Sequence, residues 1–282
     1  MTASVPRRLA RVRPLTPAVA DEHFFAANDA PDFGSAAGRS WTVVDSPFES
    51  SRGNANHAAR KGWETGTVVH QDSFAFLAPS VPLNVFGMAH NTGQPGRDFP
   101  PQAFHKAASS VIGPGDAIEL SSTVGYVDPE AELTVVVGRT VRGLTLETAR
   151  SAILGFTIGN DVSARDLQKS DELWISAKSQ DTFTPVGPWI VTDLDDSDRS
   201  ISIVHNGTEL GAASSADLGW KVDEILVYLS SFMTLHAGDL VLTGFPAECA
   251  RIHPGDTVVC RVEGIGELSN PVKAASWEGT PA

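Results

Sequence analysis

The chain has 282 residues, and its 34 acidic and 21 basic side chains give a formal net charge of −13 at pH 7. A nucleic-acid-binding protein needs a basic surface that replaces phosphate counterions, so this balance argues against a nucleic-acid partner. Hydrophobic residues make up 41% and charged residues 20% of the chain, as in globular proteins. We expect one large domain, or one large domain with a small appendage.

Cysteine content and hydrophobicity indicate the compartment. The two cysteines, Cys249 and Cys260, are too few for a disulfide framework and stand in no CxxC or Cys/His cluster. No apolar run approaches the roughly 18 residues of a membrane span, and the arginine-rich start lacks the apolar core of a signal peptide. The sequence therefore predicts a cytoplasmic protein with no membrane partner.

The N-terminal region differs from the rest of the chain in its sequence pattern. Up to about residue 78, short apolar runs such as residues 41–44 alternate with turns rich in Gly, Ser and Asn. This pattern predicts a small β-rich N-terminal subdomain over residues 1–78. Pro79 and Pro82 favour extended backbone and mark its boundary with a second domain, residues 79–282.

The second domain reads mainly as strands, most clearly at residues 132–138 and 239–243. Two helices are expected. The first follows Thr145, where Glu147 and periodic apolar residues fit a capped helix that Gly155 would end. The second covers residues 222–232. The expected fold class is α+β, and mainly β.

A pair of acidic residues, Glu130 and Glu132, stands in YVDPEAELTVVVGR, residues 126–139. In a strand, residues two apart project to the same side, so both carboxylates would share one face. They repel each other unless a cation lies between them, and the lack of nearby Cys or His favours magnesium, manganese or calcium over zinc. A strand with a solvated acidic face explains the same pattern equally well.

A third acid, Asp161, follows an apolar run in GFTIGNDVSARDLQ, residues 155–168. A turn after a strand is a usual place for a ligand, because the strand positions a residue that the loop leaves accessible. Asp161 would then complete a three-carboxylate cation site. Taken alone, an Asn-Asp pair is also explained by hydrogen bonding in a turn, and Arg165 with Asp166 by a surface ion pair.

Lys178 lies among small and apolar residues rather than on a charged face. We expect Phe183, Pro185, Pro188 and Trp189 to form a stiff wall around it. A lysine in such a pocket can pair with the carboxylate of an anionic substrate or stabilise a developing enolate. The simpler interpretation is a lysine whose stem covers apolar surface while its ammonium reaches water.

Taken together in chain order, these segments resemble the fumarylacetoacetate hydrolase superfamily. The resemblance covers roughly residues 75–275. Six blocks carry it: FHKAASSVIGPGD (104–116), PEAELTVVVGR (129–139), GNDVSARDLQ (159–168), AKSQDTFTPVGPW (177–189), GDLVLTGFPA (238–247) and PGDTVVCRVEGIGELSNPV (254–272). The bacterial branch includes acylpyruvate hydrolases, 2-hydroxyhepta-2,4-dienedioate isomerases and oxaloacetate decarboxylases. The resemblance implies a β-sandwich roll, a catalytic role for residues 79–282, and a homodimer.

The resemblance also implies roles for individual residues. Glu130, Glu132 and Asp161 would bind a divalent cation, Mg²⁺ or Mn²⁺, with Ca²⁺ also compatible. Lys178 would be the active-site lysine. The residues that would contact substrate are Gln168, Arg165, Thr243 and Phe245. Among these, Arg165 would also hold the turn of the site together, and Phe245 replaces a small polar residue and indicates a more apolar pocket.

One motif of the family is missing. Hydrolytic members carry GxNYxxHxxE, whose His–Glu pair activates the attacking water. The matching stretch here is GMAHNTGQPG, residues 87–96, with Gly93 in place of His and Gly96 in place of Glu. Glycine cannot transfer a proton, so another base is needed, and His90 is a nearer candidate than His105 or His70. A lone loop histidine is, however, more often structural.

These observations predict a metal-dependent enzyme that acts on a small anionic 2-oxo or 2,4-dioxo acid. The metal would chelate the 2-oxo and carboxylate oxygens and stabilise an enolate, and Lys178 would add a fixed positive charge. The first interpretation is hydrolysis of a carbon–carbon bond. An isomerase, tautomerase or decarboxylase is the alternative, because none of these needs an attacking water. A homologue that binds metal and ligand without turnover is the third.

Overall fold

A computed structural model describes residues 7–16, 23–30, 37–48, 63–91, 100–245 and 249–276. The N-terminal strands are β1 (Arg8–Pro14), β2 (Phe24–Asn28), β3 (Ser40–Val44), β4 (Val68–His70) and β5 (Phe74–Phe76). The next strands are β6 (Val85–Ala89), β7 (Gln102–Lys106), β8 (Val111–Ile112), β9 (Ile118–Leu120), β10 (Val127–Asp128), β11 (Ala131–Val137), β12 (Ile153–Asn160) and β13 (Ser163–Ala164). The last strands are β14 (Thr184–Val191), β15 (Ser200–His205), β16 (Thr208–Ser214), β17 (Leu240–Leu242), β18 (Thr257–Val262) and β19 (Gly266–Ala274). The α-helices are α1 (Arg165–Ser170), α2 (Ile175–Lys178) and α3 (Val222–Phe232).

Two large sheets organise these elements. A 12-stranded sheet runs in the order β4-β3-β2-β1-β14-β12-β11-β17-β6-β7, with β5 paired to β1 and β8 paired to β14. A 5-stranded sheet runs in the order β16-β15-β18-β19-β9, and β10 pairs with β13. Buried side chains from both large sheets and from α3 share one apolar core. The prediction of a mainly β, α+β fold is confirmed, because two facing sheets enclose the core.

Strand β11 lies in the middle of the large sheet and is buried along its whole length. Leu133 and Val135 face the core between the sheets, whereas Val136 faces a second cluster on the other side. This is the alternation expected of a strand, here with both faces covered. The strands predicted at 132–138 and 239–243 are confirmed as β11, which begins one residue earlier, and as β17, which is shorter by one residue at each end.

The N-terminal strands continue the large sheet, since Leu9 of β1 pairs with Ile190 of β14. They also carry an apolar cluster of their own, in which Trp41 and Phe74 are buried and Trp189 packs from the neighbouring strand. The predicted boundary at residue 78 stays a prediction. The structure adds that residues on the two sides of it share one sheet and pack against each other.

The helix predicted after Thr145 is wrong. One 3₁₀ turn at Ala149–Ala152 leads directly into β12. The segment that follows is rich in β-branched and aromatic residues and is held as a central strand between β11 and β14. Gly155 lies inside this strand, where a Cβ would overlap the carbonyl oxygen of Val191, so it allows close strand packing and ends no helix.

The second predicted helix is confirmed as α3, Val222–Phe232. Its first turn is capped by the Glu224 side chain, which accepts the backbone N–H of Lys221 at 2.9 Å. Ile225, Leu226 and Leu229 are fully buried in the core between the sheets. Among the described residues, no helix has the length and hydrophobicity needed to cross a membrane.

Candidate metal centre and active site

Strand pairing brings three acidic residues together at one end of the large sheet. Antiparallel β11 and β12 place Glu132 opposite Gly159 and Ala131 opposite Asn160. Glu130 therefore comes just before β11 at the same edge where Asp161 leaves β12, and the Asp161 N–H donates to the Glu130 carbonyl at 2.9 Å. One carboxylate oxygen from each of Glu130, Glu132 and Asp161 lies within 4.8 Å of the others.

Glu132 gives the clearest reason to expect a cation at this cluster. It is 2% exposed, and the described hydrogen-bond donor to its carboxylate is the Gly244 N–H. Burial, together with the negative charges of Asp161 and Glu130, raises the pKa of Glu132 well above its usual value. A divalent cation between the three carboxylates would offset the free energy needed to keep them ionised side by side. An all-oxygen donor set suits Mg²⁺, Mn²⁺ or Ca²⁺.

Lys178 ends α2 and reaches the carboxylates from the side. Its Nζ donates to Glu130 Oε2 at 3.0 Å, to Ser163 Oγ at 2.5 Å and to Asp161 Oδ2. Burial alone would lower the pKa of Lys178, but the charges of Asp161 and Glu130 outweigh burial and raise it. Lys178 therefore stays protonated and provides a fixed positive charge beside the cluster.

Lys106 is a site residue to which the sequence analysis assigned no role. It ends β7 and is fully buried, and its Nζ donates to Asp161 Oδ1 at 2.6 Å and to the Val162 carbonyl at 3.2 Å. Burial lowers the pKa of Lys106, against the charge of Asp161. Burial would raise the pKa of Asp161, but Lys106 and Lys178 outweigh it and lower that pKa. The two lysines thus keep Asp161 ionised and fix its orientation.

Arg165, the first residue of α1, holds Glu130 from the other side. Its Nε donates to Asp128 Oδ1 at 2.7 Å, and Nη2 lies 3.1 Å from Glu130 Oε1. Its Nη1 donates to Gln168 Oε1 at 3.1 Å. Asp128, also missed in the sequence, is buried, and this burial raises its pKa to about 6 against the charge of Arg165. Arg165 thus joins the turn, as expected, and also orients Gln168.

The cluster opens into a cavity of about 340 Å³. The residues that line it are Met88, Ala89, His90, Phe104, Glu130, Glu132, Asp161, Arg165, Gln168, Lys169, Trp174, Lys178, Gly244 and Phe245. Three of the four predicted substrate-binding residues, Gln168, Arg165 and Phe245, belong to this set. Thr243 does not, because its hydroxyl donates to the Leu133 carbonyl at 2.7 Å in the buried sheet. Substrate contact by each of the four stays a prediction.

Of the three histidine candidates, His90 alone lines the cavity as the structure describes it. Its backbone has a φ of 58°, and its ring packs edge to face on Trp174 with centroids 5.5 Å apart. His105 packs against Phe86, and His70 caps a 3₁₀ turn in the N-terminal region. Gly93 and Gly96 lie outside the described residues. A role for His90 as a base stays a prediction.

The wall expected around Lys178 is wrong in its composition. The described cavity is not lined by any of the four expected residues, Phe183, Pro185, Pro188 and Trp189. The chain leaves the cavity here, because residues 184–191 form strand β14 of the large sheet. Phe183 is fully buried in the core, and Trp189 packs on the N-terminal aromatic residues instead. The apolar surface beside Lys178 comes from Phe104 of β7, whose ring centroid lies 4.7 Å from the ammonium.

Comparison with known proteins identifies the family. The family model described as fumarylacetoacetate (FAA) hydrolase C-terminal matches residues 81–273. The chain belongs to the fumarylacetoacetate hydrolase family. The predicted superfamily is therefore confirmed, and several of the members similar to this chain bear the names of enzymes.

Three relatives show what this family member resembles. The crystal structure of 5-carboxymethyl-2-hydroxymuconate delta-isomerase from Mycobacterium smegmatis is 34% identical, with a TM-score of 0.82 over 95% of this chain and 100% of that one. The 2-hydroxyhepta-2,4-diene-1,7-dioate isomerase structure from Mycobacterium marinum is 34% identical, with a TM-score of 0.81 over 96% and 99%. The mitochondrial oxaloacetate tautomerase fahd2 of Xenopus laevis is 35% identical over 184 residues, 61% of this chain and 58% of that protein.

Proposed function

We propose that the protein is a divalent-metal-dependent isomerase or tautomerase of a small 2-oxo acid. The observation that carries this proposal is the contact of the Lys178 ammonium with Glu130 and Asp161, at the edge of a cavity that the three carboxylates also line. This arrangement places a possible cation and a fixed ammonium around one small volume. Such a volume suits a substrate that carries a carboxylate and develops further negative charge on an oxygen.

Glu130, Glu132 and Asp161 would hold the divalent cation, which would supply Lewis-acid polarisation of the 2-oxo group of the substrate. Lys178 is held by Glu130, Asp161 and Ser163, so it needs little reorganisation when negative charge develops on the substrate oxygen. Lys106 and Arg165 hold Asp161 and Glu130 in turn. The side chains of the site are therefore positioned before the substrate enters.

Isomerisation then needs a group that removes a proton from the carbon next to the carbonyl and returns it elsewhere. His90 lines the cavity at its rim, and an imidazole can accept and donate a proton near neutral pH. Gln168 lies with its amide oxygen on Arg165, which leaves its amide nitrogen able to donate to the substrate. No water has to be activated, which fits the glycines at positions 93 and 96.

The names of the relatives favour this reaction class over the hydrolysis that the sequence analysis put first. Two similar structures are named as isomerases and a third relative is named as a tautomerase. A carbon–carbon hydrolase is the second candidate, and the name of the matching family supports it. Hydrolysis would require His90, or a residue outside the described part of the chain, to activate water.

Proton NMR in D₂O separates the two candidates. With phenylpyruvate, a 2-oxo acid that ends in an apolar ring, and Mg²⁺, we expect the enzyme to accelerate keto–enol conversion and deuterium uptake at C3 above the rate with Mg²⁺ alone. EDTA and the variant Glu132→Gln should abolish this acceleration, and Glu147→Gln, which alters an exposed glutamate, should not. With a 2,4-dioxo acid, release of two acids would favour the hydrolase. If the enzyme shows no keto–enol conversion and no hydrolysis with either substrate, the proposal is overturned.

A further inference from the structure

One side of the cavity is formed by three rings, which we call the aromatic wall: Phe104, Trp174 and His90. The ring centroids of Phe104 and Trp174 lie 5.7 Å apart, and those of Trp174 and His90 lie 5.5 Å apart. The planes meet at 61° and 77°, so each pair packs edge to face. The wall begins at Lys178, whose ammonium lies over Phe104, and continues to the rim.

The backbone fixes the inner end of this wall. Phe104 of β7 stands opposite Gly87 of β6. Any side chain at Gly87 would overlap the Phe104 ring, because a Cβ built there lies only 2.1 Å from Cζ of the ring. The glycine thus lets the tip of the ring approach β6 closely, and the ammonium of Lys178 lies over the same ring. Met88 and Phe245, both nearly buried, add apolar surface to the same cavity.

The positive charges of the described cavity lining already have carboxylate partners. Lys178 contacts Glu130 and Asp161, and Arg165 contacts Asp128 and Glu130. Lys169 is 77% exposed and lies 3.3 Å from Asp166, so solvent screens it. A second carboxylate on the far end of a substrate would therefore lose water against the aromatic wall and would meet, among the described residues, only lysine and arginine side chains that already pair with carboxylates.

We infer that the aromatic wall selects 2-oxo acids whose far end is an apolar, planar group, and discriminates against those that end in a second carboxylate. This inference rests on the proposed function, which places the 2-oxo acid head at the carboxylate cluster. The substrate then extends from Lys178 along the three rings. A cavity of about 340 Å³ leaves space for one small substituent, in the usual range of small-molecule sites. Trp174, in the middle of the wall, is the specificity-determining residue.

Three oxamates that differ only at the nitrogen test this inference: oxamate, N-phenyloxamate and N-oxalylglycine. Calorimetric titration into protein loaded with Mn²⁺ measures their affinities without turnover. We expect N-phenyloxamate to bind about tenfold or more tightly than N-oxalylglycine. Equal affinities, or tighter binding of N-oxalylglycine, would overturn the inference and leave the proposed function intact. If none of the three binds, the proposed function itself is wrong.

Variants at position 174 assign the selectivity to the wall. Trp174→Ala should weaken N-phenyloxamate about tenfold and leave oxamate unchanged, and unchanged oxamate affinity also shows that the site is folded. Trp174→Arg should reverse the preference toward N-oxalylglycine. Leu173→Ala is the matched control, since its side chain is 83% exposed and does not line the cavity. An unchanged ratio of the two affinities in Trp174→Ala and Trp174→Arg would refute the assignment.

Discussion

The protein contains two buried clusters of opposite chemistry. In the N-terminal region, Trp41 is fully buried against Phe74, Phe76 and Trp189, with ring centroids 5.4 to 6.1 Å apart. At the site, Lys106 and Asp161 are buried to a similar degree, yet both are charged. The first cluster stabilises the fold by removing apolar surface from water. The second cluster costs free energy, because its charged groups are removed from water, and the fold alone does not require such groups.

This difference indicates which residues serve stability and which serve chemistry. The aromatic cluster joins β14 to the N-terminal strands and contributes no residue to the described lining of the cavity. The charged cluster supplies five residues of that lining, namely Glu130, Glu132, Asp161, Arg165 and Lys178. Substitutions in the first should therefore change the free energy of unfolding, and substitutions in the second should change the rate of the reaction.

The largest effect on stability is expected from Trp41→Ala. Removing a buried tryptophan leaves a cavity and should lower the free energy of unfolding by about 3–5 kcal/mol, measured by urea denaturation. Trp41→Phe keeps an aromatic ring and should cost less, in part because the Trp41 indole N–H has no hydrogen-bond partner to lose among the residues that the structure describes. Activity per folded molecule should remain that of the wild type. A loss of activity with unchanged stability would contradict the comparison.

Lys178→Met should lower activity and not stability, the reverse of what is expected for Trp41→Ala. Removing the fixed ammonium should lower kcat for proton exchange by about 10²- to 10³-fold, because the charge that develops on the substrate oxygen loses its partner. Steady-state kinetics of keto–enol conversion measure this loss. Lys273→Met removes an exposed lysine on β19 and serves as the control. Wild-type turnover in Lys178→Met would show that the ammonium has no part in the reaction.

A smaller effect is expected at a hydrogen-bonded aspartate outside the site. Oδ2 of Asp256 lies 2.8 Å from Nε2 of His205. Burial would raise the pKa of Asp256, but hydrogen bonds from Asn206, His205 and the His253 N–H outweigh burial and lower this pKa to about 2. A lowered pKa means that this carboxylate stabilises the fold above its unfolded pKa of about 3.9 and loses that contribution as the pH falls toward 2.

Asp256→Asn should therefore cost about 1 kcal/mol at pH 7, since the pair is partly solvated. The difference from wild type should shrink between pH 4 and pH 3 as the carboxylate is protonated. Urea denaturation at the three pH values measures it. If the difference in free energy of unfolding between wild type and Asp256→Asn does not depend on pH, the charge of Asp256 contributes nothing to stability.

The sequence predicted the parts of the site that lie next to strand ends. Glu130, Glu132 and Asp161 could be proposed as neighbours because alternation and block order are visible along the chain, and α3 could be proposed because its apolar spacing is helical. Lys106 and Asp128 were missed because their roles depend on which strands pair. Lys106 reaches Asp161 only after β7 joins β6 at the edge of the sheet.

The aromatic wall and the N-terminal cluster were also out of reach from the sequence. Phe104 and Trp174 are 70 positions apart, and no local pattern indicates that their rings meet. The helix expected after Thr145 failed for a related reason, since strand pairing on both sides of β12 overrides a local capping signal. Contacts between distant elements decide each of these features.

The central claim is that Glu130, Glu132 and Asp161 form a cation site on which the reaction depends. Calorimetric titration with Mn²⁺ tests this claim most directly, with wild type, Glu132→Gln and the exposed control Glu147→Gln. We predict one Mn²⁺ per chain for wild type and Glu147→Gln, and at least about 10²-fold weaker binding for Glu132→Gln. Equal affinity of the three proteins, or no binding by wild type, would contradict the account.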